Sequence, residues 1–409
     1  MAPVQQPEEE LFVIDDELWE RLVDLTGGTA TVCYQCGTCT AICPWGEVRQ
    51  EPLSVRKFMR RAQIGLQDGG PSLWFCTTCA QCEVYCPRGV NICDVFRSLR
   101  TIAWEQRTVE KGLPSLLWSV FWNGNPWTQP PSQRSSWAKN LDIPVFDPAQ
   151  HEILLYVGCT SSYDKRAQKI TLSLVQVLQA ANVRFGYLGD EEPCCGESVL
   201  SVGHKPYFNE IAKNTMQVFR EKGITNVVTI SPHCYDVFKN HYPAITGQEI
   251  TSSCKHYTQY LAQLLEEGRL ELGTPFNSLT DRSAVSGTAD KHRKITFQDP
   301  CYLGRHNDEY QAPRLVLKAI PGVELIEMEN HGQDSLCCGG GGGRMWLETA
   351  PGERFSDIRV EEAAKSGANI LATACPFCVV CLEDSLKGLG MHDLKVMEVA
   401  EIAASALLL

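Results

Sequence analysis

The chain is 409 residues long and 20 of them are cysteine, in a composition otherwise ordinary for a globular protein, 44% hydrophobic and 21% charged. That length builds two or three domains with sizeable cores, which excludes a short disulfide scaffold. The net charge of −12 weighs against nucleic acid or an anionic membrane as the main partner.

Met1–Glu10 is polar and acidic, without the basic and apolar regions of a secretory signal. The longest apolar runs, such as Ile402–Leu409, fall short of the roughly 18–20 residues a membrane span needs. The expectation is a cytoplasmic chain in a reducing compartment, where clustered cysteines read as metal or redox chemistry and not as cross-links.

The first cysteines form two copies of one motif. Cys33, Cys36, Cys39 and Cys43, followed by Pro44, match C-x₂-C-x₂-C-x₃-C-P, and so do Cys76, Cys79, Cys82 and Cys86, followed by Pro87. Three thiolates two residues apart on a tight loop wrap three corners of a 4Fe–4S cube. The fourth reaches the other cube in two-cluster proteins. That rule assigns Cys33, Cys36, Cys39 and Cys86 to one cube and Cys76, Cys79, Cys82 and Cys43 to the other. Zinc sites use two ligand pairs and fit poorly. Between the motifs, Pro52–Leu66 has helical periodicity and carries Arg56, Lys57, Arg60 and Arg61, either a solvated face or a docking patch. Cys93 lies outside both motifs and reads as a buried structural thiol.

Asp94–Val109 is a helix candidate. It leads into a cysteine-free, Trp- and Pro-rich connector over 106–150, read as irregular but packed, with a subunit or membrane-proximal contact as the alternative.

The remaining cysteines repeat. Cys159, Cys194, Cys195 and Cys234 recur as Cys301, Cys337, Cys338 and Cys378 at separations of 142, 143, 143 and 144 residues. Apolar runs Ile153–Val157, Val227–Ile230, Ile295–Phe297 and Ile370–Ala374 precede cysteine elements. Helix candidates Ala167–Ala180, Tyr207–Lys222, Arg314–Ala319 and Glu353–Lys365 alternate with them. The fold expected is α/β: an N-terminal helical, ferredoxin-like domain over 1–105, then a duplicated, largely parallel α/β unit at 151–265 and 294–409, joined by a polar linker at 266–293. The cysteines then sit at the carboxyl ends of strands, where helix N-termini offer N–H donors.

The second unit carries five thiols: Cys301, Cys337, Cys338, Cys375 and Cys378. In the first, Ser231 stands in the place of Cys375, leaving four. Gly339–Gly343 follows the second Cys-Cys pair and permits close backbone approach, unless it is a plain flexible loop. Cys375-Pro-Phe-Cys378 by itself also fits a thioredoxin-like redox pair, which leaves the other thiols of the repeat unexplained. His233 and His331 flank cysteine elements and Asp334 and Arg344 border the second pair, as redox-site residues or ordinary polar packing. Cys254 and Cys381 lie outside the repeat and read as spare thiols.

Pro193–Glu197 and Leu336–Arg344, with their flanking cysteines, resemble the cysteine-rich CCG domains of heterodisulfide reductase and its relatives. Residues 73–95 resemble the iron–sulfur subunit of that enzyme. The superfamily also contains electron-transfer subunits of lactate, glycolate and glycerol-3-phosphate dehydrogenases. The resemblance implies that Cys301, Cys337, Cys338, Cys375 and Cys378 hold a non-cubane 4Fe–4S cluster that splits a disulfide. A further cluster at Cys159, Cys194, Cys195 and Cys234 is left open by Ser231.

It also implies an iron–sulfur oxidoreductase subunit that takes electrons through two cubes. No flavin or nicotinamide fingerprint occurs, so a flavoprotein or membrane cytochrome is the expected partner, at the cytoplasmic face of a membrane if the partner is embedded there. The alternative is a non-catalytic relay to a flavoprotein dehydrogenase or an electron-transferring flavoprotein.

Overall fold

The computed structural model describes residues 16–49, 53–66, 70–247, 254–274, 293–350 and 352–408. The polar opening of the chain and most of the expected 266–293 linker lie outside the described residues.

The N-terminal part is helical. The helix Val55–Gln63 buries Val55, Phe58, Met59 and Ala62, the i, i+3, i+4, i+7 stripe of an amphipathic helix, and leaves Arg56, Lys57 and Arg60 exposed. Ser54 caps it by accepting from the Lys57 amide. The expected helix after the second motif is Ile92–Glu105, with eleven of its residues buried.

The connector is not irregular throughout. Leu113–Asn123 is a helix, begun with Pro114 in its first turn and ended at Gly124 with φ +64°. Its apolar residues run nearly unbroken, so no 3.6 period marked it. Leu113, Leu116 and Val120 face inward, while Trp118, Phe121 and Trp122 are 59%, 56% and 70% exposed. The rest of the connector packs on its own chain: Trp137 is buried against Tyr187, and Trp127 Nε1 donates to Thr160 Oγ1 at 3.3 Å.

Two four-stranded sheets follow, all parallel. The first is β1 (Ile153–Tyr156), β2 (Phe185–Gly186), β3 (Val227–Thr229) and β4 (Cys254–His256), in the order β2-β1-β3-β4. The second is β5 (Arg293–Gln298), β6 (Val323–Leu325), β7 (Ile370–Thr373) and β8 (Lys395–Glu398), in the order β6-β5-β7-β8. The duplication is thus one topology built twice, with Leu154 in register with Val227 and Ile295 with Ile370. The central strands were legible because a parallel strand covered on both faces is a continuous apolar run. The outer strands β2, β4, β6 and β8 are short or half polar and carried no such run. Within the expected polar linker, Leu270 and Leu272 are buried and Leu272 bridges to Leu407, while Glu267, Gly268, Arg269 and Glu271 are exposed.

The units lock together through polar groups that are partly or fully buried. Arg166 of the first unit pairs with Glu401 at 2.8 Å and with Glu383 of the second. Arg100, fully buried on Ile92–Glu105, donates to the carbonyls of Leu73, Cys76, Ser201 and Gly342. One guanidinium therefore ties the helical part to both sheet units. Burial lowers its pKa to about 10, and carbonyl dipoles stand in for the water it has lost.

Candidate functional site

The twenty cysteines are all free thiols, and seventeen of them fall into four groups. In the first two groups the loop geometry repeats residue for residue. Gln35 and Gly37 have φ of 66° and 90°, and Thr78 and Ala80, at the matching places, have 51° and 60°. Three of these four are not glycine, and each left-handed residue costs on the order of 1 kcal/mol. The turns aim amides at sulfur: the Thr78 N–H donates to Cys76 Sγ and the Val90 N–H to Cys86 Sγ, both at 3.4 Å.

Two cavities group the thiols across the motifs. One is lined by Cys33, Cys36, Cys39 and Cys86, together with Met59, Arg56 and Arg88. The other is lined by Cys43, Cys76, Cys79 and Cys82, together with Trp45, Phe96 and Phe355. These are the two sets the motif spacing assigned. Cys93 also borders the second cavity, although its position outside the motif marked it as a structural thiol. Burial pushes the Cys39, Cys43, Cys76, Cys82 and Cys93 thiols up, so these sulfurs are neutral unless a cationic centre ionises them. Crowded thiols ringing a cavity fit iron–sulfur clusters. Among the described residues, no three His, Cys, Asp or Glu side chains converge to hold a single metal ion.

The third group, at the carboxyl ends of β1 and β3, joins Cys159, Cys194, Cys195 and Cys234 in one run of neighbouring thiols. All four are buried. Arg134, 3% exposed and contributed by the connector, points both its terminal nitrogens at Cys159 Sγ, 3.6 Å away, and pairs with Glu192 at 2.9 Å. Glu192 in turn accepts from the amides of Val157 and Gly158 at 2.8 Å. Burial opposes the Arg134 charge, but the Cys159 and Glu192 charges outweigh it and raise its pKa. Nothing in the local sequence marked Arg134, which is 25 residues before the first cysteine of its group. Arg134→Met is expected to leave Glu192 buried without its counterion and to lower stability by about 3 kcal/mol in denaturant titrations.

The fourth group lies at the carboxyl ends of β5 and β7. Cys301 Sγ is 4.0 Å from Cys337 Sγ, and the run continues through Cys338 and Cys378 to Cys375. The Gly339 amide donates to Cys337 Sγ at 3.3 Å. Cys375 is the N-cap of the helix Pro376–Leu389. Burial works against its thiolate, but hydrogen bonds from Cys378 and His233 and the charge of His233 bring its pKa down to about 5. The contiguous five-thiol run accounts for the cysteines that a lone CPFC pair leaves unexplained.

Ser231 is more than a lost ligand. Its hydroxyl accepts from the His233 amide and caps the helix Pro232–Asp236. That helix carries His233 out of the first unit and up to Cys375 of the second. On its other side His233 Nδ1 lies 3.3 Å from Glu197, and its ring stacks on Tyr302 at 3.9 Å. Burial lowers the imidazole pKa, but Glu197 and Cys375 overcome it and raise it to about 10.

The fourth group also touches the second. Cys79 of the second motif neighbours Cys337 closely enough for each thiol to act on the other's ionisation. Around that contact Tyr302 bonds Thr78 Oγ1 at 2.7 Å, His306 bonds the Thr78 carbonyl at 2.7 Å, and Arg305 donates to the Cys79 carbonyl at 2.7 Å. The glycine run explains the closeness. A Cβ on Gly341 would sit 2.4 Å from the Thr77 oxygen, and one on Gly342 2.1 Å from the Cys76 oxygen. Tyr302, Arg305 and His306 were missed by the sequence reading; only their place just after Cys301 could have pointed to them.

An open pocket borders the fourth group at Cys338, Gly339 and Gly340, with Arg344, Met345 and Cys381 in its wall. Arg344 and Cys381 are thus both near the thiols. Asp334 accepts from Tyr85 and His331 bonds the Met328 carbonyl. Cys254 lies buried on β4, away from all four groups.

A family model described as a 4Fe–4S dicluster domain matches residues 29–90, and one described as a cysteine-rich domain matches 153–239 and 295–383. The chain is 34% identical to the "Probable iron-sulfur-binding oxidoreductase FadF" of Bacillus subtilis (strain 168), over 82% of this chain and 46% of that protein. It is 31% identical to the "EtfAB:quinone oxidoreductase" of Syntrophomonas wolfei, over 83% of this chain and 47% of that protein. To a subunit of the "Dihydromethanophenazine:CoB--CoM heterodisulfide reductase" of Methanosarcina barkeri it is 30% identical, over 92% of this chain and 93% of that one. The chain therefore spans about half the length of the first two of these relatives and nearly all of the third.

Proposed function

The chain belongs to the heterodisulfide reductase family of iron–sulfur electron-transfer proteins, which join a 4Fe–4S dicluster domain to two cysteine-rich domains, and from that premise we propose that it carries electrons from a partner to a disulfide at its second cysteine-rich domain. The observation that supports this reading is the tight seam where Gly341 and Gly342 pack against the Cys76 and Thr77 backbone, which sets Cys79 and Cys337 beside each other between the second dicluster group and the five-thiol group. Cys33, Cys36, Cys39 and Cys86 would hold one cube, Cys43, Cys76, Cys79 and Cys82 the other, and Cys301, Cys337, Cys338, Cys375 and Cys378 a non-cubane cluster. When bound, such clusters supply one-electron storage and a sulfur-binding redox centre.

The protein's own residues supply the rest. The reaction is RSSR′ + 2e⁻ + 2H⁺ → RSH + R′SH, so the site must deliver protons as well as electrons. His233, set between Glu197 and the Cys375 sulfur, holds a proton where a cleaved sulfur would need it. A cavity of about 520 Å³ opens beside Cys338 and Gly339, where a small disulfide would approach in this reading. The Arg134–Glu192 pair seals the third group with a buried counterion, which suits a fixed carrier more than a substrate site.

The electron donor in this reading is a flavoprotein or quinone-linked partner, in keeping with the likeness to an EtfAB:quinone oxidoreductase. No helix among the described residues is long and apolar enough to cross a membrane. The same likeness favours a second reading, a relay that passes electrons between a flavoprotein and a quinone without splitting a disulfide. Assay of the reconstituted protein with a reduced viologen dye and a small disulfide separates the two. Catalytic thiol release, with a cluster spectrum distinct from ordinary cubes, is expected. Ordinary cube spectra alone, with no thiol released, would sink the disulfide reading.

A further inference from the structure

We propose that the exposed basic face of Val55–Gln63 and Arg88 is the docking site for an acidic electron-carrier protein, and that electrons cross there at the first dicluster group. The assignment rests on the reading of Cys33, Cys36, Cys39 and Cys86 as a cube that exchanges electrons with a partner.

Of the twenty cysteines, Cys36 alone is exposed, and Tyr34 beside it is 59% exposed. Every other thiol is buried or partly covered. The first group is therefore where a partner's cofactor can come nearest to this chain's sulfurs. The face around it is positive. Arg56 and Arg88 line the same cavity as the four thiols, and the Arg56 side chain lies against Gly37, so that a Cβ there would meet it at 3.4 Å. Lys57 and Arg60 continue the face outward along a groove shared with Gln35 and Ser54.

Arg56, Lys57, Arg60 and Arg88 are all exposed, and none pairs with a described carboxylate. The helix needs none of these charges for packing, because its buried stripe is Val55, Phe58, Met59 and Ala62. Four cations on one face, none paired with a described carboxylate, stand out in a chain of net charge −12. For an acidic carrier, the surface as a whole is repulsive and this face attractive, so the field selects one orientation, with the carrier over Cys36. A basic or neutral carrier would gain nothing from the arrangement. A small anion such as a phosphate could use the charges but would have no need of the adjacent exposed thiol.

The test uses the reconstituted full chain and, as probe, an acidic plant-type 2Fe–2S ferredoxin. Binding is measured by titration calorimetry, and contact by zero-length carbodiimide cross-linking read by mass spectrometry. The wild type is expected to lose about tenfold in affinity between roughly 20 mM and roughly 300 mM salt and to cross-link through Lys57. Lys57→Glu/Arg60→Glu should bind about tenfold more weakly at low salt and show little salt dependence. If that variant loses its iron, Lys57→Gln/Arg60→Gln should give a smaller effect in the same direction. Equal affinity and equal salt slope in the variants would overturn the proposal. So would stoichiometric binding of inorganic pyrophosphate that blocks the ferredoxin at high salt, which would make the face a small-anion site. Dye-driven thiol release keeps the two readings apart. Its absence in the wild type would end the disulfide reading alone, and its persistence beside salt-independent ferredoxin binding would end the docking proposal alone.

Discussion

Replacing Cys375 with serine is expected to reduce dye-driven thiol release by about a thousandfold or more while leaving the fold and both dicluster groups in place. The chain has already made this exchange once. Ser231 occupies the same register position in the first unit, caps its helix by accepting from the His233 amide, and sits at the end of a fully buried strand. A serine at 375 has the same opening, since Cys375 is the N-cap of Pro376–Leu389 and its side chain makes no cap hydrogen bond. The helix therefore stands to gain up to about 1 kcal/mol from the hydroxyl. What is lost is chemical. The Cys375 thiol, made easier to ionise by Cys378 and His233 against its burial, offers a sulfur that can bind a cluster or meet a disulfide, and a hydroxyl does not. Thiol release is followed with a colorimetric thiol reagent, folding by thermal unfolding, and the cubes by their electron paramagnetic resonance. Unimpaired thiol release would show that the five-thiol group is not where a disulfide reacts. A variant that still passes electrons to a partner, but releases no thiol, is the outcome that separates catalysis from relay.

The sequence made the dicluster groups legible because a cube constrains local spacing. Two residues between cysteines is a covalent distance, and the same left-handed turns appear at Gln35 and Thr78 and at Gly37 and Ala80. The duplication was legible for a related reason, since a repeated topology returns each thiol after the same length of chain. The residues that join the groups were not. Arg100, Tyr302, Arg305 and His306 act on backbone or side chains far along the chain, and no spacing rule connects Arg100 to Gly342. Arg134 escaped for the same reason, because a buried counterion needs only to arrive near Cys159, by any route. The connector helix was hidden differently: Trp118, Phe121 and Trp122 make its outer face as apolar as its inner one, so patterning carried no sign of which side was buried. Ser231 shows the limit most directly. A missing thiol could be read as a loss, but that the loop now carries His233 to Cys375 depends on how the two units meet.

Gly341→Ala and Gly342→Ala are expected to uncouple the second cube from the five-thiol group. The argument is steric. A methyl on Gly342 would lie 2.1 Å from the Cys76 carbonyl oxygen and 2.8 Å from Thr77 Cα, and a methyl on Gly341 2.4 Å from the Thr77 oxygen. These neighbours are backbone, held by Arg100, which donates to both the Cys76 and Gly342 carbonyls, so they cannot swing aside as a side chain would. The loops must separate, and the Cys79–Cys337 contact and the Tyr302–Thr78 hydrogen bond lie in the same seam. Gly342 also has φ +61°, so its alanine variant adds backbone strain to the clash, whereas Gly341 has no positive φ and isolates the clash. Gly352→Ala is the matched control: φ +80° and nothing within 4 Å, so strain alone, about 1 kcal/mol. Unfolding should show a loss of about 2–3 kcal/mol for Gly341→Ala, more for Gly342→Ala, and about 1 kcal/mol for Gly352→Ala. Flash reduction of the cubes should then show rapid onward transfer in the wild type and in Gly352→Ala. In the two seam variants transfer should slow by at least about tenfold, because electron exchange weakens steeply as the loops part. If Gly341→Ala transfers as fast as the wild type despite its loss of stability, the Cys79–Cys337 seam is not the path, and electrons reach the five-thiol group some other way.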